Sequence, residues 1–372
     1  MKITNVETLY LRQPEVKELC DSGQDALIVR VTTDAGITGI GEVDSSPLAV
    51  KGVIEGPFSH TTATGLKHVL IGEDPFQTEF LWHKMYRANI YAGRRGIGIH
   101  AMSGIDLALW DIKGKALGLP VWKLLGGGFH NKLRCYASSL FGPTPAATRD
   151  LARRFRDQGF EAVKFGWDPM GRDAKTDVEL VRQGRKGLGD DADLLIDAGL
   201  VWDAKTALQR ARAFEEFNIF WLEEPLRPDD YEGYRKLSEA TSVRIAAGEE
   251  ESNRLSFLEL MDRGKIDVVQ IDLTRVGGFT EAMKIASLAY DRGLMVANHG
   301  FTTYINVTAA LHFLNSIPNA LIVEFVAEEG TNLRERITRQ RIRAQDGYLA
   351  IPDAPGLGID LDDSGVEALR VA

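Results

Sequence analysis

The chain has 372 residues, with 44 Lys and Arg against 53 Asp and Glu, a formal net charge of −9, and two cysteines. That length exceeds what one hydrophobic core organises, so two domains are expected, and an acidic balance without a basic stripe argues against nucleic acid or an anionic membrane as partner. Cys20 and Cys135 are too few for a disulfide framework and form no CxxC pair for zinc, which points to a reducing cytoplasm.

Met1–Tyr10 reads as a strand without the apolar core of a signal peptide, and no stretch approaches transmembrane length, so neither export nor anchoring is expected. Ala26–Thr33, a turn at Asp34–Gly36 and Ile37–Glu42 predict a hairpin, followed by helical stretches at Thr64–Ile90 and Ile99–Leu117. Residues 1–127 are thus expected to form an α+β module. Gly93–Gly98 and Gly126–Gly128 read as turns, because neither has the strand, glycine loop, Lys-Ser/Thr and helix of a phosphate loop.

Over residues 128–328 the texture becomes a strand-helix repeat of roughly 25 residues. Its apolar runs are Arg134–Ser138, Glu161–Lys164, Asp193–Asp197, Ile219–Glu223, Val243–Glu249, Ile266–Asp272, Leu294–His299 and Ala320–Glu324. Amphipathic stretches such as Ala204–Phe217 and Thr280–Arg292 separate them. Such runs suit strands buried on both faces of a parallel sheet, so a (β/α) barrel is expected. Lys164, Asp197, Glu223, Glu249, Asp272, His299 and Glu324 each close a run, where barrel enzymes keep their chemistry and where a buried strand interior would reject charge. Residues 329–372, with Gly347–Ile351 and a turn at Pro355–Gly358, break the repeat and are expected to return to the first module.

Asp197, Glu223 and Glu249 follow one another at 26-residue intervals (223 − 197 and 249 − 223) on consecutive runs, which would bring three carboxylates towards a common point. Converging anions need a cation or basic partners. An oxygen-only set with room for water and substrate suits Mg²⁺ better than a closed Ca²⁺ cage, with Mn²⁺ as a substitute. Adjacent strand side chains point opposite ways, so only one of Glu223 and Glu224 can face the ion, and Glu223 keeps the register. Asp272 and His299 form a second pair, since a carboxylate beside an imidazole fixes its tautomer and raises its proton affinity. His60, His68, His83, His100, His130 and His312 read as structural.

Asp197, Trp221–Pro225, Gly248–Glu249, Gln270–Gly278 and Asn298–His299, together with Ser103–Pro120, resemble the enolase superfamily, specifically its mandelate racemase subgroup, across almost the whole chain. The resemblance implies a modified TIM barrel, (β/α)7β, capped by the N-terminal module and the C-terminal tail. It implies that Asp197, Glu223 and Glu249 hold Mg²⁺, that His299 oriented by Asp272 moves a proton, that Glu324 hydrogen-bonds a substrate carboxylate, and that Lys164 adds positive charge. It also implies proton abstraction α to a carboxylate through a metal-stabilised enediolate. Relatives with a base on each face carry Lys-x-Lys on the second strand, whereas Gly166 stands at the second lysine here. One acid/base group suits dehydration of an aldonate or aldarate to a 2-keto-3-deoxy acid, with Lys164 as base the alternative. Racemase, epimerase and cycloisomerase are the rival enzymes, and a non-catalytic metal-dependent binder is the rival of another class. Homo-oligomers, often octamers, are implied. Specificity is expected in loops Arg12–Gln24 and Val43–Pro57, where Asp21, Ser22, Ser45 and Ser46 could meet distal hydroxyls.

Overall fold

The computed structural model describes residues 1–18, 20, 23–327 and 333–371. β1 (Ile3–Arg12), β2 (Asp25–Thr33) and β3 (Thr38–Val43) form an antiparallel sheet. Gly36, at φ 75°, makes the turn between β2 and β3. The helix Ile97–Leu117 crosses this sheet so closely that a Cβ on Gly41 would stand 2.0 Å from the Gly104 carbonyl oxygen. Only glycine in β3 admits that approach. The helix is apolar nearly all round because its other side faces the barrel helix Gly278–Asp291. There Asp106 accepts from the Thr280 N–H at 3.0 Å and its hydroxyl at 2.6 Å, while Trp82 Nε1 donates to the Gly277 carbonyl at 3.0 Å.

The stretch Thr64–Ile90 is not one helix. It divides into Lys67–Leu70 and Thr78–Ala88, because Gly72 adopts φ 83° and Pro75 follows, and a further helix, Pro47–Glu55, precedes both.

β4 (Lys132–Leu140), β5 (Ala162–Gly166), β6 (Asp193–Asp197), β7 (Ile219–Glu223), β8 (Ile245–Ala247), β9 (Val268–Ile271), β10 (Met295–Asn298) and β11 (Ala320–Val326) pair in chain order. β11 pairs in parallel with β4 and closes the barrel. Seven helices link these eight strands among the described residues, and six begin with a capping side chain: Thr144, Asp173, Asp203, Asp230, Asn253 or Thr303. Several run boundaries shift by one to two residues. Lys164 lies in the middle of β5, and Glu324 is followed by two more residues of β11. β8 stops at Ala247 because Gly248 turns at φ 136° against the Gln270 carbonyl, so Glu249 stands on a turn.

Alternation along the strands stacks the barrel interior in layers. One layer takes Tyr136, Ala162, Leu195, Trp221, Ala246, Val268, Ala297 and Ile322, one from each strand, and is packed as an apolar cluster. Two residues further along every strand stand Ser138, Lys164, Asp197, Glu223, Gly248, Gln270, His299 and Glu324. The polar layer therefore rests on an apolar floor, which excludes water from beneath it.

The tail departs from expectation in part. β12 (Tyr348–Ala350) pairs antiparallel with β4 at Lys132–Arg134 and so joins the barrel sheet. The helix Asp363–Leu369 then leads to Val371, whose N–H donates to the Tyr10 carbonyl at 2.8 Å, so the tail does reach the first module. The expected boundary at 328/329 lies outside the described residues. Among the described residues no helix is long and apolar enough to cross a membrane.

Candidate active site

A cavity of about 240 Å³ opens at the C-terminal mouth of the barrel, lined by Ser138, Lys164, Asp197, Glu249, Arg275, His299 and Glu324. Leu140, Trp167 and Phe301, which follow the polar layer on their chains, complete its wall.

Lys164 is buried at the centre of the acids. Its Nζ pairs with Glu223 Oε1, lies 2.7 Å from Glu324 Oε1, and stands 3.9 Å from Asp197 Oδ2. Burial alone would lower the proton affinity of this amine. Glu223 and Glu324 outweigh it and hold the ammonium well above the ordinary lysine range. Burial, and then the charge of Glu223, push Asp197 well above the usual carboxylate range, and burial raises Glu223 as well. Glu324 moves the other way: burial raises it, but Lys164 and His299 prevail and lower it. Fixed donors orient these acids: Gly199 N–H to Asp197 Oδ1 at 2.8 Å, Trp221 Nε1 to Glu223 Oε2 at 2.9 Å, and Ser138 Oγ and Gly300 N–H to Glu324 at 2.8 and 2.9 Å. Glu224 is taken up by the Tyr234 hydroxyl at 2.7 Å and the Gly248 N–H at 2.8 Å, so Glu223 is the inward member of the pair.

Oxygen-only donors, buried where three consecutive strands give out, with Asp197 and Glu223 raised chiefly by burial, have the chemistry of a hard divalent cation site. One lysine is too little positive charge for Asp197, Glu223, Glu249 and Glu324 together. The carboxylates are not drawn into one tight cluster, because Lys164 stands between Glu223 and Asp197. Among the described residues, Asp44, Asp272 and His299 do bring ligand atoms within 4.8 Å of one another. That group already has its counter-charge, since Arg275 pairs with Asp44 at 2.8 Å and its Nε lies 4.0 Å from Asp272.

His299 Nδ1 lies 2.6 Å from Asp272 Oδ2, and its Nε2 stands 3.5 Å from Glu249 Oε2. Asp272 is itself fixed by the Thr274 N–H and hydroxyl at 2.7 and 2.6 Å and by Asn306 Nδ2 at 3.2 Å. With Nδ1 donating to Asp272, Nε2 is the nitrogen left to face the cavity. Burial would lower the proton affinity of the imidazole, yet Glu249 and the Asp272 bond raise it to about 10. Burial would likewise raise Asp272, but the bond and charge of His299 hold it at about 2.

Gly166 lines the same cavity on β5 and is paired with Asp197 across the strands. A Cβ there would stand 2.8 Å from Asp197 Cβ and 2.9 Å from its Oδ2, so the position of Asp197 excludes a side chain at residue 166.

Sequence reading overlooked Arg275, Trp167, Phe301 and Ser138. Arg275 follows Asp272 by three residues within Gln270–Gly278, but its partners, Asp44 and the Glu249 carbonyl at 3.2 Å, come from elsewhere in the chain. Of the loop residues expected near distal hydroxyls, Ser45 is bonded to His100 Nδ1 at 2.9 Å and Ser46 is the N-cap of Pro47–Glu55. Asp21 and Ser22 lie outside the described residues.

Two family patterns match the chain. Enolase C-terminal domain-like covers residues 147–365, and the mandelate racemase / muconate lactonizing enzyme N-terminal domain covers residues 13–126. D-galactonate dehydratase of Xanthomonas oryzae pv. oryzae is 36% identical over 352 residues, spanning 91% of this chain and 89% of that protein. D-galactarolactone cycloisomerase of Agrobacterium fabrum is 33% identical over 315 residues, spanning 81% and 82%. The crystal structure of a racemase from Streptomyces coelicolor with bound magnesium superposes with a TM-score of 0.87 at 30% identity, covering 99% of this chain and 100% of that one. The chain belongs to the mandelate racemase/muconate lactonizing enzyme family of the enolase superfamily.

Proposed function

We propose that this member of the enolase superfamily is an acid-sugar dehydratase, removing the proton α to the carboxylate of an aldonate or aldarate and expelling the β-hydroxyl. The observation that carries this reading is the combination of an oriented His299 with a side-chain-free Gly166 on the strand where a second base would stand. Inversion at the α-carbon needs a proton carrier on each face, whereas elimination needs one. Lys164 is tied up as the cation of two acids, Glu223 and Glu324, whereas the charge of Glu249 that raises His299 would be taken up by a bound cation, leaving the imidazole able to accept a proton.

Asp197, Glu223 and Glu249 would hold Mg²⁺, with Mn²⁺ as substitute, and the bound ion supplies positive charge against the second negative charge developing on the substrate carboxylate. The ammonium of Lys164 adds to that charge from the floor of the cavity. Glu324, held ionised beside Lys164 at 2.7 Å, would take up a proton from solvent as the substrate carboxylate arrives and donate it to that carboxylate as a hydrogen bond. His299 Nε2 takes the α-proton while Asp272, anchored by Thr274 and Asn306, stabilises the imidazolium through Nδ1. The same imidazolium then delivers its proton to the departing β-hydroxyl as water leaves. Ketonisation of the resulting enol gives the 2-keto-3-deoxy acid.

The test is a screen of the Mg²⁺-loaded protein against stereoisomeric aldonates and aldarates, with His299→Asn alongside. A 2-keto acid lighter than its substrate by one water, formed by the wild type and abolished in the variant, is expected. A cycloisomerase shares the first step but returns a product of unchanged mass, and an epimerase keeps the β-hydroxyl, so either outcome would replace the dehydratase reading. Binding of acids without turnover in the wild type would leave only a binder.

A further inference from the structure

We propose that Trp167 is a specificity-determining residue, a stacking platform for the C–H face of the distal carbons of an acid-sugar substrate. This rests on the acid-sugar reading above and adds the part of the substrate that lies furthest from the reacting carbon.

Trp167 follows Gly166 directly and adopts φ 66°, a left-handed conformation unfavourable for a bulky residue. Its backbone is pinned there: the N–H donates to the Asp197 carbonyl at 3.3 Å, and its carbonyl accepts from Met170 N–H at 2.9 Å. One part of the indole rests on Gly199, where a Cβ would stand 3.1 Å from Trp167 Cδ2 and 3.2 Å from Cε3. Gly199 itself has φ 61° and orients Asp197 through its N–H. The ring is therefore braced on the segment that carries the first acid of the cavity, yet it remains 47% exposed and lines that cavity.

A large aromatic surface held open in a cavity with a polar floor calls for an amphipathic occupant. An acid sugar is one, with its carboxylate and hydroxyls at one end and C–H groups along the carbon chain. The acids, Lys164 and His299 occupy the polar layer, whereas Trp167 and Phe301 stand beyond it along the chain, on loops after β5 and β10. With the carboxylate and α-carbon seated on the floor, the carbons that reach the indole are those beyond C4. A four-carbon acid ends short of it.

The test compares Trp167→Ala and Trp167→Phe with wild type, all Mg²⁺-loaded and checked for folding by circular dichroism, on four-carbon and six-carbon aldonates. Trp167→Ala is expected to raise KM for the six-carbon acids about tenfold, as loss of one stacked face implies, with kcat changed less than about twofold. Four-carbon acids should be affected less than about twofold, and Trp167→Phe should recover most of the loss. An equal loss at both lengths, a loss confined to kcat, or no loss at all would overturn the proposal. If the wild type turns over no aldonate or aldarate, the dehydratase reading fails, and the platform is judged by calorimetric titration of the four- and six-carbon acids. Weaker binding of six-carbon acids by Trp167→Ala would then uphold it, while equal affinity in both proteins, or binding to neither, would overturn it.

Discussion

Gly166→Ala should weaken Mg²⁺ binding, although residue 166 offers no ligand. The added methyl carbon would stand 2.8 Å from Asp197 Cβ, 2.9 Å from Oδ2 and 3.0 Å from Cγ. Ordinary contact begins near 3.4 Å, so Asp197 has to retreat by about 0.6 Å (3.4 − 2.8). The backbone cannot easily yield, because Gly166 and Asp197 are partners in the β5–β6 ladder and Trp167 N–H holds the Asp197 carbonyl. Metal–ligand distances tolerate deviations of about 0.2 Å, and misorienting one ligand typically weakens binding about 10–100-fold. That range corresponds to about 1.4–2.8 kcal/mol. Overpacking should also destabilise the fold by about 1–3 kcal/mol. Calorimetric titration of metal-free wild type and variant measures the first effect, and urea denaturation without metal measures the second. Mg²⁺ affinity within twofold of wild type would refute the inference that the space at Gly166 belongs to the carboxylate of Asp197.

Asp272→Asn removes the charge that orients His299 and should lower kcat about 10²–10⁴-fold with little change in KM, measured by steady-state kinetics on any acid that the wild type dehydrates. Lys164→Met leaves Glu223 and Glu324 buried without their cation and should destabilise the metal-free protein by about 3–5 kcal/mol. Part of that loss should return with saturating Mg²⁺, since Glu223 is a proposed ligand, and denaturation with and without the ion checks this. His312 accepts from Trp122 N–H at 3.3 Å, lies 3.1 Å from the Leu357 carbonyl through Nε2, and is lowered by burial to about 4. Below pH 6.5 the unfolded chain takes up a proton that the folded one refuses, so stability present above pH 6.5 is lost as pH falls towards 4. The gap from 6.5 to about 4 corresponds to about 3 kcal/mol. His312→Gln should flatten the stability profile between pH 7 and pH 4.5, as followed by urea midpoints.

The strand ends were legible because burial on both faces writes an unbroken apolar run, and an ionisable residue at its close stands out against it. Asp197 and Glu223 end their strands as that pattern demands. Glu249 does not, since Gly248 turns at φ 136° against the Gln270 carbonyl, a close approach that no periodicity encodes. The break between Lys67–Leu70 and Thr78–Ala88 was written in Gly72 and Pro75, but apolar spacing carried across it. The hold of Lys164 on Glu223 was hidden, because it depends on the parity of β5 against β7 around a closed sheet. Arg275 was hidden for another reason: its partner Asp44 is 231 residues away in the capping module.

The most direct test of one-sided proton transfer is to run the reaction in D₂O with an acid sugar that the Mg²⁺-loaded protein consumes, and to examine product and recovered substrate by NMR. The 2-keto acid should carry a single deuterium at C3, and the remaining substrate should keep its original configuration at C2. Recovered substrate inverted at C2 would reveal a second proton carrier facing the cavity and contradict the assignment of that work to His299 alone.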